Sequence, residues 1–123
     1  MSDQLKKTLV LGASDNPGRY SYLAVNRLRD KGHPVVAIGR KPTTIGDVEI
    51  GTTKKDFPAI DTVTLYLSPD HQKDYYDYII SLHPKRLIFN PGAENEELAR
   101  LAQASGIEPV EACTLVLLST GQF

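Results

Sequence analysis

Two stretches of the chain place glycine, proline and small polar residues directly after an apolar run: TLVLGASDNPGRYS at residues 8–21 and RLIFNPGAENEE at residues 86–97. Gly12 permits a tight turn, Ala13 and Ser14 expose little but backbone, and free amide groups where a helix begins can hold a phosphate. Arg19 sets a cation in the same loop, followed by Tyr20 and Ser21 at the start of the expected helix. In the second stretch, Asn90, Pro91 and Gly92 can bring bare backbone against a ligand, and Glu94 and Asn95 lead into the next helix. Each loop also has a plainer reading, as a strand-to-helix turn or a rigid turn before a cap. Their shared layout, with Arg19 beside the first, favours a single binding site built from both.

A third feature follows the second apolar run, where Arg40 and Lys41 stand together. A domain that binds NAD places Asp or Glu near that point to hold the ribose hydroxyls. Two cations suit a phosphorylated ribose instead, as found in NADP and in coenzyme A. On charge patterning alone, a solvated surface pair is an equal alternative. The first loop also departs from the dinucleotide fingerprint G-x-G-x-x-G, because Ser14 occupies the place of the middle glycine.

Other chemistry is thin. His33, His71 and His83 have no metal-ligand spacing and read as helix-end or surface residues. No serine sits in a G-x-S-x-G elbow. Glu94 reads as a capping or dipole-supporting acid rather than a base. Cys113 reads first as a small core residue; if a helix begins at Thr114, its positive end would favour thiolate.

The elements that must position these residues follow from periodicity. Thr8–Leu11, Pro34–Ile38, Thr62–Leu67, Arg86–Phe89 and Pro109–Ala112 are strand-like, and the region 40–58 offers at most a short edge strand at Val48–Ile50. Between them, residues 20–31 carry Tyr20, Leu23, Ala24 and Leu28 at helical spacing. A second helix is expected from Ser68-Pro69-Asp70 to the residues before Pro84, by its capping hydroxyl, proline and first-turn acid. A third is expected from Glu94 to Ser105, with Leu98, Leu101 and Ala102 inward and a Glu96–Arg100 pair outward. Thr114–Leu118 is an apolar closing segment of open type. The strands are near-continuous apolar runs alternating with helices, which predicts an α/β fold: a doubly wound, Rossmann-like domain with a mostly parallel sheet of about five strands and helices on both faces. Ligands bind such sheets at the carboxyl ends of the strands, the edge where both loops and Arg40-Lys41 would lie. Lys85-Arg86 falls at the opposite end and reads as a solvated pair.

The totals agree with a single domain over residues 1–123. A chain of this length buries roughly two thirds of its unfolded surface. The 14 Lys and Arg against 15 Asp and Glu give a net charge of -1, which argues against a nucleic-acid partner. The opening MSDQLKK leads into no apolar run of signal-peptide length, no run approaches a membrane span, and one cysteine allows no internal disulfide. A cytoplasmic location is therefore expected, with no membrane association; a homodimer or a protein partner stays open.

At these residues the chain resembles the small, stand-alone CoA-binding proteins, whose Rossmann-like domain is similar to that of the α-subunit of succinyl-CoA synthetase. The resemblance rests on GAS at 12–14, Pro17, RYS at 19–21, GH at 32–33, DTVTLYL at 61–67, the run from Pro84 to Asn95, EACTLV at 111–116 and the closing STGQF. It covers nearly the whole chain. The resemblance implies binding of coenzyme A, with the GAS–RYS loop toward the phosphates, the Arg40 region toward the adenosine end and the NPG–EN segment as the other wall. Many relatives carry an Asn-Pro-Lys-like sequence after the second strand, where this chain has Gly39-Arg40-Lys41-Pro42. Relatives that ligate CoA have further domains and a phosphorylated histidine, so a binding role without catalysis is the favoured expectation. An NADP-dependent enzyme and a protein-interaction module with an unused nucleotide pocket are the alternatives.

Overall fold

The computed structural model describes residues 5–123; residues 1–4, the head of the MSDQLKK stretch, lie outside the described residues. The chain runs β1 (Thr8–Ala13), α1 (Tyr20–Asp30), β2 (Val35–Gly39), β3 (Thr43–Ile45), β4 (Val48–Gly51), β5 (Thr62–Leu65), α2 (Pro69–Gln72), a 3-10 turn (Lys73–Tyr75), α3 (Tyr76–Ser81), β6 (Arg86–Phe89), α4 (Glu96–Ala104), β7 (Glu108–Glu111) and α5 (Thr114–Ser119). The strands form one sheet in the order β3-β4-β2-β1-β5-β6-β7. Every pairing is parallel except that of β3 with β4. The chain leaves β1 toward β2 on one side and later returns to β5 on the other. That reversal beside β1 is the topological switch point.

Alternation along the strands divides the core. Leu9 and Leu11 of β1, Val63 and Leu65 of β5, and Leu87 and Phe89 of β6 pack with Ile79 of α3 and with Leu98 and Ala102 of α4. Val10 and Ala37 face the other way and pack with Val25 and Leu28 of α1 and Leu118 of α5. Helices thus cover both faces, as the apolar strands require.

The sheet has seven strands because residues 43–51 form an antiparallel β3–β4 hairpin rather than one edge strand. Its two-residue turn, Gly46-Asp47, is pinned to α1, where Arg29 Nε lies 2.7 Å from Asp47 Oδ1. The expected second helix is broken by the 3-10 turn, which tightens the chain and leaves Gln72 pointing fully inward. Gln72 Nε2 donates to the carbonyls of Leu67 and Ala93 at 2.8 and 2.7 Å, tying together the loops after β5 and β6. Leu101 is exposed, against its expected inward place, and Tyr20 (72% exposed) and Leu23 of α1 are exposed as well. On α4 the i, i+4 pair Leu98 and Ala102 carries the contact, leaving Leu101 at the margin of the stripe. The described ion pairs are Arg29–Asp47 and Lys41–Asp15, and Glu96–Arg100 is not among them.

Arg86 is not the solvated residue that its position suggested. At the amino edge of the sheet its guanidinium stacks 4.4 Å from the Phe123 ring centroid, and Nη1 donates to the Phe123 carbonyl at 2.7 Å. His33 joins this cluster, its ring 5.0 Å from that of Phe123 and its Nδ1 accepting from the Lys6 amide at 2.9 Å. Burial, followed by the charges of Lys6 and Arg86, holds the His33 pKa below its ordinary value.

Candidate functional site

A cleft of about 660 Å3 opens at the carboxyl edge of the sheet, a size typical of small-molecule sites. Its floor is the switch point. On one side lies the β1–α1 loop with Gly12, Ala13, Ser14, Asp15 and Arg19, then Tyr20 and Ser21 at the start of α1. On another lie Arg40 and Lys41 after β2, and Thr43 at the start of β3. The remaining wall is Tyr66, Leu67 and Ser68 after β5, His71 and Tyr75 beyond them, and Pro91, Gly92 and Ala93 after β6.

Local geometry explains the loops. Gly12 has φ +97°, and a Cβ there would stand 2.9 Å from the Tyr66 carbonyl carbon and oxygen. Glycine alone allows β1 to turn this close to the end of β5. The loop is then held by short-range bonds: the Asn16 amide donates to Ser14 Oγ at 3.1 Å, and the Gly18 amide to Asn16 Oδ1 at 2.9 Å. Arg19 is the N-cap residue of α1, which has no side-chain cap and no acid in its first turn. The positive end of this eleven-residue helix therefore meets the cleft with its charge unopposed by its own side chains.

The second loop works differently. Asn90 is buried at 2% exposure. Its Nδ2 donates to Thr64 Oγ1 at 2.7 Å and to the Leu65 carbonyl at 2.8 Å, and its Oδ1 accepts from the Thr114 amide at 2.9 Å. Asn90 thus binds β5 and α5 to the end of β6. Gly92 has φ +92° and open space where a Cβ would stand. Its amide donates to Glu94 Oε1 at 2.9 Å. Asn95, not Glu94, caps α4: its Oδ1 accepts from the Leu98 amide at 3.2 Å, while Nδ2 donates to Gln72 Oε1 and the Tyr76 hydroxyl.

Of the residues singled out in the sequence, Gly12, Ala13, Ser14, Arg19, Tyr20, Ser21, Arg40, Lys41, Pro91 and Gly92 border the cleft together. Asn90, Glu94, Asn95 and Cys113 are not among its lining residues, and the first three are engaged in the bonds just described. Thr114 does begin a helix, and Cys113 sits half-buried at its N-cap. The neighbouring Tyr66 hydroxyl is buried beside Thr64 and Thr114 without a hydrogen-bond partner among the described residues, and burial pushes its pKa up to about 12.

Asp15, Thr43, Tyr66, His71 and Tyr75 are among the cleft residues that sequence reasoning missed. His71 was readable only as a helix-end residue; its Nδ1 is 3.0 Å from Ser68 Oγ. The usable signal was position, since Tyr66 and Ser68 directly follow the strand across the switch point from β1.

The match to known proteins bears on what this cleft holds. A family model described as a CoA binding domain matches residues 6–119. The chain belongs to the CoA binding domain family. Among solved structures, an uncharacterized protein is similar at 49% identity and TM-score 0.96, over 98% of this chain and 100% of that one. A protein from Thermus thermophilus (20% identity, TM-score 0.84, 97% and 91% covered) shares the fold. So does a hypothetical protein from Pyrococcus horikoshii (23% identity, TM-score 0.85, 95% and 84% covered). The doubly wound architecture is that of these neighbours. Membership in the family supports coenzyme A as the class of ligand.

Proposed function

We propose that the cleft binds coenzyme A, free or as an acyl-CoA or CoA disulfide, and that the protein acts as a binding module without catalysis of its own. The observation that carries this reading is the convergence of Arg19, Arg40 and Lys41 on a cleft that also receives the positive end of α1. Three cations and a helix terminus suit a ligand with a diphosphate and a separate ribose phosphate. In this reading the diphosphate lies against the Gly12–Ser14 backbone and Arg19. The ribose phosphate turns to Arg40 and Lys41, and the pantetheine arm follows the wall at Pro91 and Gly92, where the missing side chain leaves room.

The only cysteine is Cys113, and no helix among the described residues is long and apolar enough to cross a membrane. We place the binding role in the cytoplasm on the first of these.

A ligand that binds only the folded state raises the melting temperature by mass action. Coenzyme A should do so in a concentration-dependent way, and more strongly than NADPH at equal concentration. A larger shift with NADPH would favour the dinucleotide alternative.

A further inference from the structure

Where dinucleotide-binding domains place an acid for the ribose, β2 of this protein ends in Gly39, which has no room for a side chain. A Cβ there would stand 2.3 Å from the Ala13 carbonyl oxygen and 2.9 Å from Ile50 Cγ2. A carboxylate reaches the same corner from the other loop. Asp15 Oδ2 accepts from the Thr43 hydroxyl at 2.8 Å, and its Oδ1 lies 3.8 Å from Lys41 Nζ. Asp15 is a cleft residue, with its side chain 35% exposed. The corner that offers cations to a ribose phosphate therefore also holds an anion, bonded to the groups that phosphate would use.

Building on the coenzyme A reading of the cleft, we propose that Asp15 is a specificity-determining residue which competes with a ligand's ribose phosphate for Lys41 and Thr43. A phosphomonoester that pairs with Lys41 must displace the carboxylate or sit beside it against like-charge repulsion. A ribose with free hydroxyls meets no such opposition and can donate to the carboxylate. Asp15 thus narrows the gap between phosphorylated and unphosphorylated ribose that Arg40 and Lys41 would otherwise create. The ion pair is exposed and of the kind that contributes little to folding, so its removal should register in ligand choice rather than in stability.

The test is calorimetric titration of the wild type and Asp15→Asn with coenzyme A and with dephospho-CoA. Asparagine keeps an oxygen acceptor for Thr43 and removes the charge, with an NH2 donor in place of the second oxygen. Two unit charges about 4 Å apart in water interact by about 1 kcal/mol, so coenzyme A should bind the variant about fivefold more tightly. Affinity for dephospho-CoA should stay the same or fall. Should Asp15→Asn fail to fold, Asp15→Ser removes the same charge and carries the same expectation. Equal or weaker preference for coenzyme A in a folded variant, with coenzyme A still bound by the wild type, overturns the role of Asp15 alone. No binding of coenzyme A to the wild type would overturn the reading of the cleft, and this inference with it.

Discussion

Arg19 stands at the N-cap of α1, exposed and on the edge of the cleft. Its backbone carbonyl accepts from the Tyr22 and Leu23 amides and so belongs to the helix start, while its side chain forms none of the described hydrogen bonds. Arg19→Ala should therefore leave folding intact and remove a charge-assisted contact to phosphate. We expect coenzyme A affinity to fall about tenfold or more with an unchanged melting temperature for the free protein. An unaltered dissociation constant would put the side chain outside the site. This residue was legible in the sequence because it follows a glycine turn at a strand end. Asp15 was not, although it is four residues away in the same loop. Its significance comes from Thr43, whose distance along the chain gives no periodic signal. Asn90 shows the converse limit. Its type and its place before Pro91-Gly92 suggested a ligand contact, yet a buried amide must satisfy its donors and acceptor, and here the fold uses all three.

At the scale of elements, Asn90 is the joint between β6, β5 and α5. Asn90→Ala would leave the Leu65 carbonyl and the Thr114 amide without this partner. Burying such groups unsatisfied costs about 1–3 kcal/mol each, so denaturant unfolding should show a loss of about 2–6 kcal/mol. A loss under about 1 kcal/mol would mean that water replaces the amide. The amino edge has a different sensitivity. The neutral Nδ1 of His33 accepts from the Lys6 amide, and burial and nearby cations hold its folded pKa below 6.5. A depressed folded pKa gives stability that is present above the unfolded value and is lost as pH falls through the folded one. The wild type should therefore lose melting temperature more steeply than His33→Gln as the pH drops below 6.5. Parallel curves for the two proteins would remove His33 from the account. Elements with long apolar runs, such as β1, β5 and β6, were readable because burial on both faces dictates their composition. The β3–β4 hairpin was obscured by its brevity, with strands of three and four residues in a region rich in Gly, Thr and Lys.

For the whole molecule, the order of strands matters more than their number. Chain reversal beside β1 brings the loops after β1, β2, β5 and β6 to one edge, so residues far apart in sequence share one cleft. The alternation of strands and helices made that edge predictable, and with it the meeting of Gly12, Arg19, Arg40 and Gly92. Which groups within it oppose or assist one another depends on distances of a few ångströms that alternation does not encode. The family match supports coenzyme A as the class of ligand, and the proposed placement gives the cleft's cations a phosphate to meet. The most direct check is calorimetric titration of the purified protein with coenzyme A and dephospho-CoA side by side. The account predicts saturable one-site binding of coenzyme A, weakened when the ribose phosphate is absent because Arg40 and Lys41 lose their partner. Equal affinity for the two ligands in both the wild type and Asp15→Asn would contradict the placement of that phosphate, and no measurable binding of either would contradict the account as a whole.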